Sequence, residues 1–212
     1  MMSPDASAPL DFAAFATRWQ GDGISKLLGF VWAGYDALRR ENPPMFDPCD
    51  EIDVNSRLER WIRRKMPKNC PFDIQHTPPE LSRRRTSSRP PPAPDFGFFS
   101  QHDRDGRAMF PLEAKVLQTD GNLSEYLKAL RTRFLQCRYA PHSSEGAMIG
   151  YLLSGDDEVA FKKLKSKLRT NLGVHPDFLL RPHRISHHLR KHKHCKNSPA
   201  TFCCHHLLMA FS

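Results

Sequence analysis

The chain has 212 residues, 39% of them hydrophobic, which suits one domain with a core of its own. Lysine and arginine exceed aspartate and glutamate by nine, and eleven histidines can add charge below neutral pH, a balance that favours polyanionic partners. The longest apolar stretch, Leu27 to Tyr35, contains two glycines and falls far short of the ~20 residues of a membrane span. Met1-Met2-Ser3-Pro4-Asp5 lacks the basic region of a secretory signal. The six cysteines, irregularly spaced, read as reduced thiols of a cytoplasmic protein.

Residues 1–10 read as a frayed tail. From Phe12 to Arg40 the pattern is helical, with Phe12, Phe15 and Trp19, then Leu27, Phe30, Val31, Tyr35 and Leu38 at core spacing. Gly21 and Gly23 divide two short helices, and Pro43 and Pro44 stop the second. Together with a third helix this forms a helical N-terminal part over 11–66. That third helix, Asp50 to Arg64, has acids in its first turn that suit the positive helix end. Glu51, Asn55, Leu58 and Ile62 share one stripe, so an acid and an amide open an otherwise apolar face. Arg60, Arg63, Arg64, Lys65 and Lys68 follow. Phe72-Asp73-Ile74 suits a short edge strand. Residues 77–93, with Arg83-Arg84-Arg85 and six prolines between Pro78 and Pro94, read as a mobile loop whose arginines can ride on phosphates.

The chemistry concentrates between Pro94 and Leu117. Asp95 opens the apolar run Phe96 to Phe99, turn residues fill 102–107, and Phe110 to Leu117 reads as a buried strand. With period two, Phe110, Leu112, Ala114 and Val116 share one face, and Glu113 and Lys115 the other. Charged groups on such a strand are costly unless paired. A hairpin brings Asp95 beside Glu113. Two carboxylates and a lysine there form a divalent-metal site with a positive neighbour, as phosphodiester hydrolysis requires.

Pro94-Asp95 followed by Glu113-Ala114-Lys115 in an apolar strand resembles the PD-(D/E)XK nuclease superfamily, the fold of many restriction-type endonucleases. The resemblance implies an α/β fold with a restriction endonuclease-like core, a central mixed β-sheet flanked by helices on both faces, with the catalytic core over 94–172. It implies catalysis by Asp95, Glu113 and Lys115, and Mg²⁺ or Mn²⁺ held by Asp95, Glu113 and the Ala114 carbonyl. In the family the helix before the core strands often carries an acid aimed at the metal. Glu51 is the candidate, with Asp53 and Glu59 behind it; capping its own helix is the other reading of Glu51. The resemblance makes nucleic acid the partner, DNA ahead of RNA, and admits a homodimer or a larger defence complex. A non-catalytic nucleic-acid-binding or regulatory protein on the same fold is the alternative.

Beyond the central strand, Asn122 can cap a helix from Leu123 to Arg138, with Leu123, Leu127, Leu130 and Phe134 as its core stripe. Lys128, Arg131 and Arg138 lie on another side, and Tyr126 and Gln136 are further polar candidates for substrate contact. Gly146 to Leu153 is apolar on both faces, as an inner strand should be. The last helix, Glu158 to Leu172, carries a basic outer side. Lys128, Arg131, Lys163 and Lys167 are the nucleic-acid-binding candidates. The tail, 173–212, is rich in histidine and cysteine. It lacks the two tight ligand pairs of a zinc module, so little bound zinc is expected. Cys203 to Phe211 reads as a terminal edge strand, with the histidines in the loop before it. No Ser-His-Asp order or glycine-rich phosphate loop is present.

Overall fold

The computed structural model describes residues 11–19, 22–41, 46–80, 91–101, 103, 108–139, 141–190, 193–195 and 198–211. Expectations for the first ten residues, for Pro43-Pro44, for the arginine run 83–85 and for most of the turn at 102–107 lie outside them. Among the described residues, five α-helices surround one mixed sheet.

The helices are α1 (Phe12–Trp19), α2 (Gly23–Glu41), α3 (Glu51–Lys65), α4 (Ser124–Ala129) and α5 (Asp157–Leu168). The strands are β1 (Phe72–His76), β2 (Phe96–Ser100), β3 (Met109–Leu117), β4 (Glu145–Leu152), β5 (Gly173–Val174), β6 (His183–Leu189) and β7 (Thr201–Ala210). They are ordered β1-β2-β3-β4-β7-β6-β5. The β3–β4 and β4–β7 pairs are parallel and the others antiparallel. Strand alternation then sorts the core into two layers. On one face Leu27, Val31, Leu58 and Ile62 of α2 and α3 pack with Phe110, Leu112, Ala114, Ile149, Leu207 and Met209. On the other, Leu127 of α4 and Phe161 and Leu164 of α5 pack with Leu117, Met148, Leu152, Cys204 and Leu208. Helices α2 and α3 approach closely at Gly34, where a Cβ would come within 2.9 Å of the Ile62 backbone nitrogen.

Several expectations change. Cys203 to Phe211 is not an edge: β7 lies between β4 and β6, with Phe202, Cys204 and Leu207 to Met209 buried. The supposed histidine loop supplies β6. Its polar His183 and Ser186 gave no strand signal, yet both are fully buried because internal hydrogen bonds satisfy them. The helix from Leu123 to Arg138 is broken. Leu123, not Asn122, holds the cap position and makes no side-chain cap bond, and Leu130–Phe134 is a π-helical turn. Tyr126 is fully buried and bonded to His206 and to the Met148 carbonyl, so it meets no substrate. Helix α5 ends at Leu168, because Arg169 turns left-handed (φ 55°). The ends of the 77–93 loop are held: the Thr77 amide donates to the Asp95 carbonyl and the Glu80 amide to that of Pro92. Residues 81–90 lie outside the description. Nor are all cysteines reduced: Cys137, after the π turn, is disulfide-bonded to Cys195.

Candidate active site

Strand β3 outruns β2. Their pairing stops at Phe96 opposite Leu112, while β3 continues to Leu117. On that side the next backbone amides meet side chains instead of a strand. Asp95 Oδ2 accepts from the Ala114 amide at 2.7 Å, and Glu51 Oε2 from that of Val116 at 3.3 Å. Asp95 arrives because it precedes β2 by one residue. Glu51 arrives because Asp50, not Glu51, caps α3, accepting from the Ile52 and Asp53 amides at 2.9 and 3.3 Å. The capping reading of Glu51 is thereby excluded.

Lys115 projects into this gap. Its ammonium lies 2.8 Å from Glu51 Oε1, 3.3 Å from Glu113 Oε1 and 3.7 Å from Asp95 Oδ2, and it donates to the Ala114 carbonyl. The structure thus brings Asp95, Glu113, Ala114, Lys115 and Glu51 together. Because both meet the same ammonium, at 3.7 and 3.3 Å, the Asp95 and Glu113 oxygens are close enough for a shared or paired metal site. Four oxygen donors converging on a cation suit a hard divalent ion such as Mg²⁺ or Mn²⁺.

The site is electrically strained. Burial, then the Asp95 charge beside it, pushes the Glu113 carboxyl up to about 7. Burial raises Asp95 too, against the pull of Lys115. Burial opposes the charge of Lys115, but Glu113 and Asp95 outweigh it, so its pKa is raised and it stays protonated. Three carboxylates share one ammonium, so a divalent ion would relieve the excess negative charge.

Two neighbours escaped the sequence reading. Arg133 Nη1 donates to the Tyr139 hydroxyl at 2.7 Å, and the Arg133 charge beside Glu113 favours its ionised form. Arg133 lies in the π turn, where 3.6-residue spacing fails, so no helical pattern could have aimed it here. Behind Glu51 on α3, buried Asn55 accepts from Tyr151 at 2.6 Å, which explains the amide on that stripe. Asp53 and Glu59 instead bind Arg57 and Arg63 on α3's own surface.

The basic candidates are solvent-exposed. Arg131 Nη2 donates to the Lys167 carbonyl at 3.0 Å, joining the π turn to α5. Lys163 pairs with Asp120 at 2.6 Å and Lys128 with Glu125 at 3.2 Å. Exposed pairs of this kind are weak and can exchange for phosphate.

Comparison with models of known protein families, with characterised proteins and with solved structures finds no match. Among the described residues no helix is long and apolar enough to cross a membrane.

Proposed function

We propose that this chain is a metal-dependent nuclease of PD-(D/E)XK type that hydrolyses phosphodiester bonds, with DNA the favoured substrate. The observation that carries this reading is the convergence of Glu51, Asp95, Glu113 and the Ala114 carbonyl on the Lys115 ammonium. Asp95, Glu113 and the Ala114 carbonyl would hold Mg²⁺ or Mn²⁺, with Glu51 at the rim. When bound, the ion would supply Lewis acidity and a water of lowered pKa. Lys115 keeps a positive charge beside the attacking oxygen and offsets negative charge growing on the phosphate. Arg133, held by the Tyr139 hydroxyl, adds a positive charge that favours the ionised Glu113 carboxylate. Lys128, Arg131, Lys163 and Lys167 neutralise backbone phosphates.

The test is incubation with plasmid, linear duplex, single-stranded DNA and RNA in Mg²⁺, Mn²⁺ or EDTA. Cutting of DNA in either metal and none in EDTA supports the reading. Tight, salt-sensitive binding with no cutting in any metal would replace it by the non-catalytic alternative.

A further inference from the structure

A second cluster lies on the opposite face of the sheet. Glu113 and Lys115 share a face of β3 with Leu117, which packs under α4 and α5, whereas His205 shares a face of β7 with Leu207 and Met209, which pack under α2 and α3. His205 is the diagonal neighbour of His183 across the β6–β7 pair, in which His183 faces Leu207 and Ile185 faces His205. His175, just before the short helical turn Pro176–Phe178, lays its ring 4.7 Å from that of His183 and 5.3 Å from that of His205. All three histidines are buried, and each offers a ligand atom within 4.8 Å of the others.

We infer that His175, His183 and His205 form a binding site for one divalent transition ion of the zinc class, independent of the carboxylate site on the other face. Imidazole nitrogens suit zinc, whereas Mg²⁺ prefers oxygen. His183 Nε2 and His205 Nδ1 are 3.2 Å apart. Two nitrogens ligating one tetrahedral zinc stand about 3.3 Å apart. His205 Nε2 meets Glu145 Oε2 at 3.0 Å, the kind of carboxylate contact that orients a metal-binding imidazole. The cluster borders a cleft of about 190 Å³, lined also by Asp22, Ser25 and Glu145, from which a fourth ligand can enter. A second grouping, Glu145, Cys203 and His205, shares only His205 with this triad and has just that one imidazole.

The hydrogen bonds say what an ion must displace. The Trp32 indole can only donate, and it faces His183 Nδ1 at 3.3 Å. The His183 proton therefore sits on Nε2 and points at His205 Nδ1, and the His205 proton points at Glu145. An ion between the rings finds the His205 lone pair already aimed at it. It takes the Nε2 position of His183, whose proton moves to Nδ1, and the indole bond ends. His175, if it binds through Nε2, gives up the 3.2 Å bond from the Asp177 amide. Binding zinc thus costs Trp32 its acceptor, and Trp32 reports the event.

The experiment loads the full chain with Zn²⁺, dialyses it, counts metal by mass spectrometry and follows tryptophan emission, with Co²⁺ absorption as a second probe. The expected result is one retained zinc per chain, an emission change at the same stoichiometry, and visible Co²⁺ bands of tetrahedral intensity that zinc abolishes. His175→Ala and His205→Ala should lose the retained zinc. Glu145→Gln should bind ~10-fold more weakly. Trp32→Phe, which frees His183 Nδ1 to carry the proton, should bind more tightly. Cys203→Ser and Glu113→Gln should keep the zinc. Failure of wild type to retain zinc, with no tetrahedral Co²⁺ spectrum, overturns the inference even if a histidine variant misfolds. Zinc kept by both histidine variants, or lost by Cys203→Ser, also overturns it.

Discussion

Lys115 Nζ stands 3.3 Å from Glu113 Oε1, two residues away on the same face of β3, and this contact joins the electrostatics of the site to its stability. Glu113 is almost wholly enclosed and Lys115 about one-fifth exposed, so neither charge is well served by water.

The first expectation concerns Lys115→Met. The Lys115 ammonium offsets three carboxylates, those of Glu51, Asp95 and Glu113. The variant should lose about 3 kcal/mol in EDTA, and several millimolar Mg²⁺ should restore much of it. Urea unfolding with and without Mg²⁺ measures both effects. Equal stability of wild type and variant in EDTA would mean that the ion pairs contribute nothing.

The second concerns pH. Glu113 is raised from its ordinary value near 4.5 to about 7, so the folded state holds its proton more tightly than the unfolded state does. Its favourable contribution is full below about 4.5 and is lost as pH rises through about 7. Asp95, also raised, acts in the same direction. Metal-free protein should therefore lose stability between pH 5 and 8. Mg²⁺ needs the ionised carboxylate, so its affinity should rise over the same window. Calorimetric Mg²⁺ titrations in that range test this, and the slope should shrink in Glu113→Gln, leaving the part that Asp95 contributes.

The third concerns the basic surface. Lys163→Glu with Lys167→Glu should weaken DNA binding and reduce the dependence of log affinity on log salt by about two contacts' worth. The single-turnover cleavage rate at saturating protein should be unchanged. Filter binding at several salt concentrations gives the slope, and a slope equal to that of wild type would remove these lysines from the interface.

The fourth concerns the bridge between Cys137 and Cys195, which closes a 58-residue separation. Denatured but unreduced protein should titrate four thiols, those of Cys49, Cys70, Cys203 and Cys204. Replacing the bridged pair by serine should cost about 3 kcal/mol. Six titratable thiols in protein purified without reductant would show that the bridge does not form.

The carboxylate site was legible because its residues lie close in sequence. Period two put Glu113 and Lys115 on one face, and a hairpin returns Asp95 to them. Glu51 was half legible: its stripe was visible, but only Asp50's capping bonds decide where its carboxylate goes. Strand β6 was not legible, since His183 and Ser186 are polar and their burial depends on partners from β7 and α2. Nor was the π turn, whose extra residue per turn carries Arg133 off the helical pattern. The histidine cluster shows the same limit. His175 and His205 are thirty residues apart, and it takes the β5–β6 and β6–β7 pairings together to bring such distant ligands to one place.

The most direct measurement is single-turnover cleavage of labelled duplex DNA in Mg²⁺ by wild type, Glu113→Gln and Lys115→Met, each at saturating protein and metal. Wild type should cut, with EDTA abolishing the product. Both variants should be slower by at least ~10²-fold while still binding DNA. Only Glu113→Gln should also need more Mg²⁺ for half-maximal occupancy. If wild type cuts and Lys115→Met cuts as fast, the ammonium serves the fold alone and the nuclease assignment of this site is wrong.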